Sequence, residues 1–282
     1  MRALVIYHST SGNTRLAASY LARRLSEQDV ESETWDIVRK PYPPELKDYT
    51  LVGFGFPVME FHPSYAIRRF VSLLPMQQGK PAFVFATCAG MPSNSLHMLG
   101  QKLKERGFVI VGGQAVTFTS NWPLSRQIVA RRTANPQSRL DRIFDALWNR
   151  SDRPSDKDRR QLDKLVERVL DRIAKTPQPA RLPHCRLDPF GWLGQMMTPE
   201  RSRKGMGIKA IDETLCTQCG ICARDCPAKA ITLEPYPVFN EDECQGCWSC
   251  FNNCPEKALY TSLVKGKGHY AGPGPEARQL FS

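Results

Sequence analysis

The sequence predicts an α/β fold, a doubly wound parallel sheet followed by a small α+β domain rich in cysteine. Three observations carry this expectation. Short apolar runs alternate with amphipathic helical stretches over roughly the first 120 residues, the rhythm of a parallel sheet covered on both faces. A basic stretch without that rhythm follows. The chain then repeats itself, with Cys216, Cys219, Cys222, Cys226 and Pro227 returning 28 residues later as Cys244, Cys247, Cys250, Cys254 and Pro255, which implies two copies of one small unit.

Each element can be justified in turn. Residues 2–7, Arg-Ala-Leu-Val-Ile-Tyr, form an apolar run too short for a helix and rich in branched side chains, so a buried strand is expected. Leu16, Ala17, Tyr20, Leu21 and Leu25 then line one face of a helix over 14–25. Further strands are expected at 34–38, 50–56, 82–87 and 108–116, with helices at 63–74 and 94–106 between them. Leu162, Leu165, Val166, Val169, Leu170 and Ile173 recur at helical spacing and predict a helix that closes the sheet. These elements make up a first domain over 1–176, with a basic helical section at 125–176. Residues 177–207 carry five prolines and read as a linker, although Phe190, Trp192, Leu193, Met196 and Met197 should pack rather than stay in water. The repeat unit occupies 208–264, and the glycines and prolines of 265–282 predict a mobile tail.

Composition narrows the function classes. The formal charge is +11, and residues 125–181 hold 15 Lys or Arg against 8 Asp or Glu. That stretch has no interleaved aromatic pattern, so a solvated helical face is expected there and no nucleic-acid site. No run approaches the ~20 apolar residues of a membrane helix, and the apolar segment after Met1 is too short for a signal peptide. The expected compartment is the cytoplasm. No Ser-His-Asp or Cys-His spacing can be argued from His8, His62, His97 or His269, so no catalytic side chain is expected.

Each half of the repeat reads C-x2-C-x2-C-x3-C-P, the spacing that holds cubane 4Fe–4S clusters. Zinc sites use pairs separated by a longer spacer, and a cytoplasmic compartment disfavours disulfides. In such paired units the fourth thiolate serves the neighbouring cluster. The expected ligand sets are therefore Cys216, Cys219, Cys222 and Cys254 for one cluster, and Cys244, Cys247, Cys250 and Cys226 for the other. Cys185 beside His184 offers too few ligands for a site of its own, and Trp248 reads as cluster packing.

The first strand ends in His8-Ser9-Thr10-Ser11-Gly12-Asn13-Thr14, just before the first helix. Hydroxyls and free N–H groups at a helix N-terminus suit a phosphate, and the loop has neither G-x-G-x-x-G nor G-x-x-x-x-G-K-[ST]. A Ser/Thr-capped helix is the plainer alternative. Together Tyr7 to Thr14 resemble the flavodoxin phosphate loop, S/T-x-T/S-G-x-T. With the tandem cysteine motif, the chain resembles a family of flavodoxin–ferredoxin fusion proteins over residues 2–120 and 208–262.

That resemblance implies flavin mononucleotide (FMN) and two 4Fe–4S clusters. It places the FMN phosphate at Ser9, Thr10, Ser11, Gly12, Asn13 and Thr14. With strand order 2-1-3-4-5, it places the ring between two loops, Pro57, Val58 and Met59 in one and Thr87, Cys88, Ala89, Gly90 and Met91 in the other. Phe56 and Phe61 are the nearby aromatics and Trp122 is more distant in sequence, so one ring face should be open to the clusters or a substrate. Cys88 reads equally as a ring contact and as a small buried hydrophobe. Glu60 is the one acidic residue in these loops, so the reduced flavin should form more readily than in an acidic flavodoxin. With its cofactors loaded, the charge falls to about +5. The implied function is electron transfer between FMN and the clusters, coupling two-electron to one-electron chemistry. Its partner is a redox protein or a small-molecule donor or acceptor. The alternative is a flavin-dependent reductase of a small molecule, such as a quinone reductase or an NAD(P)H-dependent oxidoreductase.

Overall fold

The structure is a computed structural model that describes residues 1–134, 153–175, 179–184 and 198–282. The first half runs β1 (Arg2–Tyr7), α1 (Asn13–Ser26), β2 (Glu31–Asp36), β3 (Leu51–Met59), β4 (His62–Pro63), α2 (Tyr65–Leu73), β5 (Lys80–Cys88), α3 (Ser95–Glu105), β6 (Phe108–Thr117), α4 (Pro123–Ala134) and α5 (Asp156–Ala174). The sheet order is β2-β1-β3-β5-β6, with β4 folded back on the end of β3. All four main pairings are parallel. Counting the parallel strands alone, this is the order 2-1-3-4-5 of a doubly wound sheet.

Alternation along the strands feeds two cores. Ala3, Val5, Tyr7, Phe83 and Phe85 face α1 and α5, whereas Leu4, Ile6, Phe54, Phe56 and Val84 face α2 and α3. Gly53 and Gly55 are required by close approach, because a side chain at either would collide with the Phe83 or Phe85 ring. β2 begins at Glu31, earlier than the expected 34. It is an edge strand with a largely exposed or half-buried pattern, so its polar first turn carries no apolar signal.

The predicted closing helix is α5, and Asp158 anchors it. Its carboxylate accepts from Thr117 N–H at 3.0 Å, Ser155 N–H at 2.9 Å and the Arg153 guanidinium at 2.6 Å. Burial works against the charged form, yet these donors hold its pKa below the usual carboxylate value. Of the basic section, residues 135–152 lie outside the described residues, as do Cys185, Phe190, Trp192, Leu193, Met196 and Met197. No described helix is long and apolar enough to cross a membrane.

The second half contains α6 (Pro199–Met206), β7 (Lys209–Ile211), α7 (Ile221–Arg224), β8 (Ile231–Leu233), β9 (Pro237–Phe239), α8 (Ser249–Asn252), β10 (Leu259–Thr261) and α9 (Pro275–Leu280). Each unit is a strand, a cysteine loop, a short helix and a closing strand. The units are intertwined: β7, which opens the first, pairs with β10, which closes the second, while β8 and β9 pair with each other.

Residues 265–282, expected to form a mobile tail, instead run back over the first domain. Tyr270 donates its hydroxyl to Asn13 Oδ1 at 2.6 Å. Phe281 is buried, 5.0 Å from the Tyr20 ring centroid and 5.7 Å from that of Phe118. Burying one such aromatic is worth about 2–3 kcal/mol, which outweighs the glycine-rich character of the segment that leads to it.

Candidate functional site

A cleft of about 460 Å³ opens at the carboxyl ends of β1, β3, β5 and β6, within the usual range of about 300–1,000 Å³ for small-molecule sites. At one end lies the loop after β1. Gly12 caps α1 in the left-handed region, φ 96°, with no side-chain cap. The first backbone bond of α1 runs from Leu16 N–H to Gly12 O at 2.9 Å. The N–H groups of Asn13, Thr14 and Arg15 therefore have no acceptor within the helix.

Hydroxyls are held in place around this open end. Ser9 Oγ accepts from Gly12 N–H at 3.1 Å, and the Thr14 and Thr87 hydroxyls share a 2.8 Å bond. The Asn121 amide donates to Thr10 Oγ1 at 3.0 Å and to Ser11 Oγ at 3.2 Å. No Lys or Arg lines the cleft, and Glu60 is its one charged residue among the described residues. An anion here is met by the helix dipole and fixed donors, which fits a flavin phosphate. His8 ties the loop to α2 through Nδ1 and Ser64 Oγ at 2.8 Å. Burial lowers its pKa to about 4, so the imidazole is neutral.

The other end of the cleft is apolar. Taken over the whole cleft, every flavin residue expected from the sequence is in its lining except Gly12, which sits behind it at the helix cap. Phe61 and Trp122 line it too. Phe56 does not: it points with Phe54 into the α2–α3 core and is fully buried there, because alternation on β3 turns it away from the cleft. Glu60 and Phe61, at φ 51° and 67°, form the two-residue turn between β3 and β4, a position that favours Asn-Gly. Burial raises the Glu60 carboxyl above its ordinary pKa, against the Ser202 hydroxyl that donates to it at 2.5 Å. Cys88 lines the cleft as a protonated thiol, pushed up to about 12 by burial and by the nearby Asp158 charge.

The cysteines gather into two sets. Cys216, Cys219, Cys222 and Cys254 line one small cavity. Cys226, Cys244, Cys247 and Cys250 line another. Each set takes three thiols from one loop and the fourth from the other. A cubane holds four thiolates at separate corners, and in two-cluster units the fourth comes from the other repeat, as each set here does. The donor chemistry therefore fits a cluster in each cavity.

The second cysteine loop is docked on the first domain. Asn253 donates to Thr10 O at 2.8 Å, Ser249 to the same oxygen at 3.3 Å, and Asn252 to Asn121 O at 2.9 Å. This brings Gly246, Cys247 and Trp248 into the wall of the cleft. Neither this wall nor the contributions of Thr119, Ser120, Asn121, Ser125, Ser202 and Gly205 follow from local sequence pattern, since each depends on packing between distant segments.

The family model described as "4Fe-4S dicluster domain" matches residues 215–258. Among solved structures, the chain is similar to a flavodoxin from the domain Archaea at 18% identity, covering 62% of this chain and 99% of that one, with a TM-score of 0.41. It is also similar to oxidised flavodoxin 1 from Bacillus cereus at 20% identity, covering 61% and 98%, with a TM-score of 0.42. No curated protein matches the chain. A dicluster domain carries electrons, so electron transfer is the general activity. In its fold, the chain thus joins a doubly wound sheet of flavodoxin-like order 2-1-3-4-5 to a C-terminal 4Fe–4S dicluster ferredoxin domain.

Proposed function

We propose that the chain binds FMN in the cleft and a 4Fe–4S cluster in each thiol cavity, and relays electrons along the order flavin, near cluster, far cluster. The near cluster is the one held by Cys226, Cys244, Cys247 and Cys250. One observation carries the proposal: Cys247 and Trp248 line both the cleft and the near cavity. Bound FMN supplies the exchange between paired and single electrons, while each cluster handles electrons singly.

The protein's residues position these groups and control solvent. The loop of Ser9 to Thr14 seats the phosphate, and Met59, Phe61 and Trp122 exclude water from the ring. Trp248 fills the space between the two sites. The far set contains the exposed Cys219, which makes it the exit towards an external redox partner. The second reading, a flavin-dependent reductase of a small molecule, is favoured by the rim of the cleft, where Met91 and Trp122 are 45% and 46% exposed.

Anaerobic purification followed by cofactor analysis tests the proposal. One FMN and about eight iron atoms per chain are expected; FAD, or about four iron atoms, would contradict it. Adding NADH or NADPH then separates the readings. Bleaching of the flavin and cluster absorbance identifies a nucleotide-dependent reductase, and bleaching by dithionite alone identifies a carrier fed by another protein.

A further inference from the structure

A second cavity, of about 500 Å³, lies on the other side of the Ser9–Gly12 loop, at the seam between the two domains. Its character is opposite to that of the flavin cleft. Three guanidinium groups from three separate elements line it: Arg15 on α1, Arg39 just after β2, and Arg278 on the returning α9. The carboxylates that face it are Asp36 and Asp225. Asp225 is already held by the neighbouring Arg224 at 2.8 and 2.9 Å. Arg39 approaches Asp36 only to 4.0 Å. Arg278 has its Nε placed by Pro273 O at 2.9 Å, and neither Arg15 nor Arg278 forms an ion pair among the described residues. Two forks thus remain free for an anion, the geometry that suits phosphate oxygens.

Asp36 gives the site a second specificity. It is the last residue of β2, in register with Tyr7 on β1, and follows the loop by roughly 20 residues. In dinucleotide-binding doubly wound sheets an acidic residue at this place receives ribose hydroxyls, and an arginine nearby accommodates a further phosphate; this chain shares the acid and the arginine at that place but not the glycine-rich turn of those folds. The Asp36 carboxylate, which lines the cavity, is oriented by Val38 N–H at 2.9 Å and the Tyr7 hydroxyl at 3.5 Å.

We infer that this cavity is a nucleotide site, separate from the flavin cleft, which takes a nucleoside phosphate. Its phosphates lie on Arg15, Arg39 and Arg278, and its ribose diol lies towards Asp36. The ligand is either a free nucleotide or the nucleoside-phosphate end of a nicotinamide dinucleotide, and both present the same chemistry to these residues. Ser9, Thr10 and Ser11 line both cavities, so the occupant sits one loop away from the flavin phosphate.

The test is calorimetric titration of the full, flavin-loaded chain with ADP and with GDP, repeated on Arg39→Ala/Arg278→Ala. Both arginines are exposed and lie outside the flavin cleft, and flavin content and melting temperature serve as the check on folding. Binding of at least one nucleotide, weakened about tenfold or more in the double variant with flavin retained, is the expected result. If NADPH displaces the nucleotide and bleaches the flavin, the natural ligand is a dinucleotide. If NADPH does neither, it is a free nucleotide. No binding of either nucleotide at millimolar concentration, or equal binding by the double variant, would overturn the inference.

Discussion

The two cysteine loops are built on one 28-residue unit and share an unusual backbone, yet they face different surroundings. Left-handed residues recur at matched positions: Gln218 and Gly246 at φ 54° and 62°, Gly220 and Trp248 at 71° and 61°, and Lys229 and Lys257 both at 54°. The side chains diverge where the environments diverge. Ile221 and Asp225 of the far loop correspond to Ser249 and Asn253 of the near loop, which bond to Thr10 O. Cys219 is exposed, whereas its counterpart Cys247 is 9% exposed. Gly220 occupies the left-handed position without strain, but the near loop places a tryptophan there, at a cost of about 1–3 kcal/mol. Such a residue persists when its side chain is needed, and the Trp248 indole closes the flavin cleft, 5.5 Å from the Phe251 ring centroid. In the proposed relay, this divergence gives one copy of the duplicated unit the inner position and the other the outer one.

The largest expected effect comes from removing one member of the pair at a time. Cys247→Ser should abolish electron passage from the flavin to any external acceptor. Cys219→Ser should block the acceptor while leaving exchange between flavin and near cluster intact. Stopped-flow absorbance with iron analysis separates these outcomes, and equal loss of internal exchange in both variants would break the comparison. Next is Trp248→Gly, which gives the near loop the residue of the far loop. Relief of backbone strain is outweighed by the loss of a buried indole, about 3–5 kcal/mol. Thermal unfolding should therefore show net destabilisation together with weaker flavin retention; a more stable variant with full flavin would refute a role for the indole.

Smaller effects follow from position 225 and its counterpart 253. Asn253→Asp removes the donor to Thr10 O and leaves a carboxylate facing a carbonyl, a cost of about 1–3 kcal/mol. Hydrogen exchange should accelerate at residues 9–14 in that variant, and unchanged protection there would argue against docking through this bond. In the far loop, Arg224 holds the Asp225 carboxyl below its ordinary pKa. A depressed folded-state pKa contributes stability that is present above the unfolded value of about 3.9 and lost as pH falls through the folded value. The pair is partly exposed, so the contribution is below about 1 kcal/mol. Asp225→Asn should slightly flatten the acid limb of stability between about pH 5 and pH 3, as measured by denaturant titration.

Much of this was legible in the sequence because it is periodic or closely spaced. The strand–helix rhythm of residues 2–116 and the cysteine repeat both announce their architecture locally. Trp248 packs beside the cysteine cavity as expected; the repeat also aligns it with Gly220 and so marks a position that demands positive φ, a signal the packing reading did not use. The tail was misread because its glycines and prolines dominate its composition, while the buried anchors Tyr270 and Phe281 are single residues without periodicity. Asn121, Ser202 and the near-loop wall reach the cleft only through tertiary contact, and nothing in their neighbours foretells it.

The relay order itself is tested most directly by rapid-freeze electron paramagnetic resonance. Electrons would be delivered to the flavin of the anaerobic wild-type chain, with the two cluster signals assigned by Cys219→Ser and Cys247→Ser. The account predicts that the near-cluster signal rises first and the far-cluster signal follows from it. A far-cluster signal that rises first, or that rises unchanged when the near cluster is missing, would contradict it.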